Sequence, residues 1–181
     1  MAAGFTVVAA DQAGHGGSGG KESSVVHFAN VMRAADERYG PFSAVVAHSM
    51  GAIATTYAMS RGLTCDRVAF LNPASSFTSI WRRNEKVLGL SPERMARAAA
   101  SAERWLGISF DEIEPTVLAP KLSSRLLVIH DEYDPETPIA DSVALVRSWP
   151  DAELVTVEKV GHTRILSDDG VIRRVVDFLA A

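Results

Sequence analysis

Five short apolar runs, separated by stretches with helical spacing, constrain this chain more than any other feature. Residues 5–10, 43–47, 67–71, 125–130 and 153–158 are rich in Val, Leu, Ile, Ala and Phe, and Gly, Pro, Asp or Asn punctuates them. Runs this short and this apolar read as strands, and those with few polar residues as strands buried on both faces. Strands that alternate with helices build an α/β fold with a mostly parallel sheet, here of about five strands. Between the first two runs, Ser23 or Ser24 can cap a helix reaching Tyr39, with Phe28, Val31, Met32 and Ala35 on one face and Gly40-Pro41 as its stop. A second helix is expected over 50–61, closed by Gly62, a third from Thr137-Pro138 to Trp149, and a last one capped by Ser167.

The alternation breaks between residues 73 and 120. That stretch carries no strand signal, only helical segments, in one of which Ser91 caps and Pro92 occupies the first helical position. It reads as a helical lid inserted into a single domain spanning 1–181. Its Trp81, Leu88, Leu90 and Trp105 serve either to pack the insert onto the body or to face an apolar pocket.

Composition narrows the partners. A net charge of −4 over 181 residues gives no general reason to expect nucleic acid or an anionic membrane as partner. No stretch approaches the roughly 20 apolar residues that span a bilayer, and residues 1–10 lack the basic start of a signal peptide. The single Cys65 forbids an intrachain disulfide, argues against a cysteine zinc site and suits a reducing, cytoplasmic setting. No histidine pair has metal-ligand spacing, so neither metal nor other cofactor is expected.

Three sites carry chemistry. Ala47-His48-Ser49-Met50-Gly51 lies between a strand and a helix, where a tight turn lifts a serine hydroxyl above the sheet and needs small residues two positions either side. Met50 would offer its backbone N–H to an oxyanion at the helix start. The plainer reading makes Ser49 an ordinary helix cap. In the loop after the fourth run, Asp134 precedes Pro135 and the Thr137-Pro138 helix start, and can orient a histidine. Asp131, Glu132 and Glu136 compete for that role, Asp131 following its strand so directly that a turn function suits it better. After the fifth run, Gly161-His162 places an imidazole on a loop, as a general base requires. His15, His48 and His130 sit at strand ends and His27 on an exposed helix face, where structural roles are the default.

A glycine-rich loop is a decoy. Gly14, Gly16 and Gly19 match the dinucleotide pattern, but the acid that should follow at the end of the second strand is missing, since Asp36 and Glu37 fall in a helix. Gly20-Lys21 is followed by Glu22 rather than Ser or Thr, so a P-loop fails too.

Together the segments beginning at Asp11, Ala47, His130 and Gly161, with chain order Ser49, Asp134, His162, resemble the α/β-hydrolase fold family over nearly the whole chain. The resemblance implies Ser49 as nucleophile, Asp134 as acid and His162 as base, acting on an ester or related acyl substrate. It also implies an earlier strand and His-Gly loop that donate a second oxyanion N–H, and this sequence shows neither. Two expectations follow: a truncated or misassigned start, or a reduced sheet with half an oxyanion hole, and an exposed strand edge would favour self-association. The competing expectation is a non-catalytic interaction module that keeps the fold without a complete site.

Overall fold

A computed structural model describes residues 4–181. Strands β1 (Ala44–His48), β2 (Arg67–Leu71), β3 (Arg125–Asp131) and β4 (Ala152–Val157) form one sheet in the order β1-β2-β3-β4. Every neighbouring pair is parallel, with Ala44 opposite Arg67, Arg67 opposite Arg125 and Leu126 opposite Ala152. The helices are α1 (Val25–Tyr39), α2 (Gly51–Ser60), α3 (Phe77–Leu88), α4 (Pro92–Leu106), the single turn α5 (Pro115–Leu118), α6 (Ile139–Ser148) and α7 (Asp169–Ala180).

Strand order places the helices. When sequence neighbours are also sheet neighbours, successive right-handed crossovers all fall on one face. Val45, Ala47, Val68, Phe70, Leu126 and Val128 accordingly share a core with residues of α1, α2, α6 and the segment between β2 and β3. The alternate residues Ala69, Leu71, Leu127 and Ile129 point the other way, onto Val171 and Val175 of α7. α7 reaches β2 and β3, and on the same side β1 leaves Val46 50% exposed. α2 is buried along Ala52–Met59, so its two threonine hydroxyls bond within the helix: Thr55 to the Gly51 carbonyl and Thr56 to the Ala52 carbonyl, both at 2.8 Å.

The expected helices form, with α1 capped by Ser24, whose Oγ accepts from the His27 N–H at 3.2 Å. Val25 and Ala29 are its fully buried residues, flanked by Phe28 and Met32 packed on the core. Residues 73–120 hold no strand, as expected. Trp81 packs on Phe110, with ring centroids 5.0 Å apart, whereas Leu88 and Trp105 are largely exposed.

Two expectations are corrected. The described sheet has four strands rather than about five, because residues 5–10 are irregular and exposed. An apolar run becomes a strand only where a neighbouring edge accepts its N–H and C=O groups, and this run makes no ladder with β1. The final helix is capped by Asp168, whose carboxylate accepts from the Val171 N–H at 2.9 Å. Ser167 instead closes a preceding 3₁₀ turn, its Oγ donating to the Arg164 carbonyl. No helix among the described residues is long and apolar enough to cross a membrane.

Phe70, fully buried in β2, packs edge-on against Trp149 with ring centroids 6.2 Å apart. Phe70→Ala is expected to cost about 3–5 kcal/mol, read as a lower urea midpoint with an unchanged slope.

Candidate active site

The chain turns from β1 into α2 within two residues. Ser49 has φ 51, in the left-handed region that a side-chain-bearing residue rarely adopts. Backbone bonds hold it there: its N–H donates to the Leu71 carbonyl at 3.2 Å, and its carbonyl accepts from the Ala74 N–H at 3.0 Å. A Cβ added at Gly51 would lie 3.4 Å from the Ala47 Cβ, so the two positions face each other closely and leave room only for small side chains. Met50 follows in helical conformation as the N-cap of α2.

Two loops bring their side chains to this turn. His162 lies after β4, beside Gly161 with φ 91. Its Nε2 is 3.0 Å from Ser49 Oγ and its Nδ1 is 2.6 Å from Asp134 Oδ2. With Nδ1–H donating to the carboxylate, a neutral ring presents the Nε2 lone pair to the serine hydroxyl. Asp134, in the loop after β3, has its other bonds filled by the Glu136 N–H at 2.7 Å, the Thr137 N–H at 3.2 Å and the Thr137 hydroxyl at 3.0 Å. Ser49, Asp134 and His162, separated by up to 113 positions, thus meet in one hydrogen-bonded line.

Three further residues hold these loops: the sequence pointed to structural roles for His48 and Asp131 and left Asn72 unmarked. Asn72, fully buried with φ 38, donates its amide to the carbonyls of Gly161 (3.3 Å) and His162 (3.2 Å) and accepts from the Asp131 N–H at 2.7 Å. His48 Nε2 donates to the His162 carbonyl at 2.9 Å. Asp131 accepts from the N–H groups of Tyr133, Lys159 and Gly161, tying the loop after β3 to the loop after β4. The available signal was position: each stands at a strand end, before Pro73, Ser49 and the Asp134 loop respectively.

The other candidates separate cleanly. Glu132 is exposed, and Glu136 places its carboxylate 3.6 Å from His162 Nε2, across the ring from Asp134. His130 is buried between the Ser142 hydroxyl at 2.8 Å and the Thr137 carbonyl at 3.0 Å. The glycine-rich loop folds on itself: the Gly17 N–H donates to Asp11 Oδ2 at 2.8 Å and the Ser18 hydroxyl to the Asp11 carbonyl at 2.7 Å. His15 from that loop lies edge-on to Phe28, and His27 edge-on to Trp105 rather than free on an exposed face. His15, Phe28 and Trp105, with Met50, Phe77, Ala102 and Leu106, line an apolar cavity of about 400 Å³. Among the described residues no group of three or more His, Cys, Asp or Glu gathers in a way that would hold a metal ion.

Comparisons with known proteins agree with this architecture. A family model described as the alpha/beta hydrolase family matches residues 1–174. No curated protein sequence matches the chain. Among solved structures, a monoacylglycerol lipase of Paleococcus ferrophilus superposes with TM-score 0.67 at 21% identity, covering 92% of this chain and 80% of that one. A putative non-heme bromoperoxidase of Mycobacterium tuberculosis gives 0.68 at 14% identity, covering 93% and 79%. A Butyrivibrio proteoclasticus protein solved with ferulic acid gives 0.65 at 22% identity, covering 94% and 76%. At such identities the likeness is one of fold.

Charge in the site follows from burial and bonding. Burial alone would raise the Asp134 carboxyl, but the bonds from His162, Glu136 and Thr137 outweigh it and hold it below its usual 3.8. Asp131 is held below 3.8 in the same way, burial opposing the N–H groups of Gly161, Tyr133 and Lys159. Burial lowers His48, although the His162 carbonyl partly opposes it, and burial also lowers His130. A carboxyl with a lowered folded pKa binds fewer protons folded than unfolded, so its stabilisation is present above the unfolded value near 4 and is lost as pH falls through the lowered folded value. Asp131→Asn is therefore expected to be about 1–3 kcal/mol less stable at pH 7, from orphaned N–H groups, and to lose less further stability on acidification below pH 4. Urea midpoints measured against pH check both.

Proposed function

The chain belongs to the alpha/beta hydrolase family, and on that premise we propose that it cleaves an ester or related acyl bond through an acyl-enzyme on Ser49. The observation that carries this reading is the line from Asp134 Oδ2 through His162 to Ser49 Oγ, at 2.6 and 3.0 Å, ending on a serine with φ 51.

His162 Nε2 takes the hydroxyl proton as Ser49 Oγ attacks the acyl carbon. The carbonyl electrons move onto oxygen, where the Met50 N–H and the N-terminus of α2 stabilise them. Asp134 stabilises the imidazolium and keeps the ring in the productive tautomer. The imidazolium then gives its proton to the departing heteroatom, and water repeats the sequence to release the acid. The left-handed backbone of Ser49 is maintained by the packing of β1, β2 and α2, so the hydroxyl needs no rearrangement to reach the imidazole.

The apolar cavity beside Met50 suits the acyl half of the substrate, since the residue that follows the nucleophile also lines it. α3 and α4 supply its Phe77, Ala102, Trp105 and Leu106, which supports their role as a lid over one domain.

A fluorophosphonate probe is expected to label the chain at Ser49 and to leave Ser49→Ala unlabelled, by intact mass. With a p-nitrophenyl ester, Asp134→Asn is expected to lower kcat by about 10³–10⁴. Equal labelling of Ser49→Ala, or no labelling of the wild-type chain, would overturn the mechanism and favour a non-catalytic interaction module.

A further inference from the structure

The loop after β3 presents the His162 ring with a carboxylate at each nitrogen, and only one of them belongs to the mechanism above. Asp134 meets Nδ1 with its side chain fully buried, whereas Glu136 stands 3.6 Å from Nε2 with its side chain 64% exposed. Two residues apart, they are parted by a turn in which the Glu136 N–H donates to Asp134 Oδ1. Among the described residues, Glu136 pairs with no Lys or Arg. It lies outside the apolar cavity, whose lining reaches the nucleophile turn through Met50.

Nε2 is the atom that must hand a proton to the departing heteroatom. That heteroatom therefore comes within hydrogen-bond reach of Nε2, beside a carboxylate only 3.6 Å from the same nitrogen. We propose that Glu136 makes the leaving-group side of the site acidic and selects acyl substrates whose departing alcohol or amine carries positive charge. This rests on the hydrolase reading and deepens it: an apolar acyl half in the cavity, a cationic half at Glu136. Asp134 is tied up behind the ring by its own hydrogen bonds, and His48 gives its Nε2–H to the His162 carbonyl, with burial favouring its neutral form. A carboxylate that is mostly exposed acts through solvent, so selection of about threefold to tenfold is the size to expect.

The test compares three acetyl esters: that of trimethylammonioethanol, its uncharged isostere 3,3-dimethylbutyl acetate, and the anionic 3-acetoxypropanoate. The readout is the ratio of kcat/KM values within each enzyme, which a loss of folding or of general activity leaves unmoved. Wild type is expected to favour the cationic ester over the neutral one and the neutral over the anionic, with the ratios compressed in 1 M salt as screening predicts. Glu136→Gln should flatten the ratios by about threefold to tenfold, and Glu136→Lys should reverse them. Turnover with ratios unmoved between wild type and both variants overturns charge selection alone. Failure of wild type to turn over any of the three esters while a fluorophosphonate still labels Ser49 overturns this inference, and failure of that labelling as well overturns the hydrolase reading with it.

Discussion

The carboxyl end of the sheet depends on one buried amide. Asn72 has no exposure to water, and a buried amide without partners is costly, so its bonds dictate where the surrounding chain can go. Its side chain bonds the last residue of β3, Asp131, and two carbonyls of the loop after β4, while its own N–H donates to the Ile129 carbonyl at 2.9 Å. The Thr137 hydroxyl returns to the Asn72 carbonyl at 3.4 Å, and the same hydroxyl reaches Asp134. The loops bearing Asp134 and His162 are thereby referred to a single residue at the end of the central strand.

Around that amide the sheet is asymmetric. A strand order that follows the sequence sends the crossovers to one face, and α2, α6 and the helices between β2 and β3 build the larger core there. The opposite face has α7, which comes after the last crossover and covers β2 and β3. The same parallel arrangement puts the ends of β1, β3 and β4 together at one rim, which is why Ser49, Asp134 and His162 can meet although each follows a different strand.

Electrostatics at the rim is graded by burial. Asp134 is enclosed, and its hydrogen bonds rather than solvent keep it ionised; Glu136, two residues on, faces water. The two carboxylates beside one imidazole therefore take different parts in the proposed reaction: the enclosed one would orient and stabilise the ring, and the open one would meet what approaches Nε2. Burial favours the neutral ring of both His48 and His130, whose hydrogen bonds place loops.

The sequence by itself determined the α/β class, four of the five expected strands to within a residue or two at their ends, the helical stretch from 73 to 120, and Ser49, Asp134 and His162 as the residues to watch. Those features are local: apolar runs, turn residues and the small neighbours of Ser49 leave their mark within a few positions. Only the tertiary structure decided that residues 5–10 stay out of the sheet, because a strand exists through its neighbour's hydrogen bonds rather than its own composition. It also decided which loops Asn72, His48 and Asp131 tie together, and that Glu136 stands at Nε2 while Asp134 meets Nδ1. A buried amide or carboxylate acquires its partners from segments as many as 90 positions away, and no local pattern in the sequence records that distance.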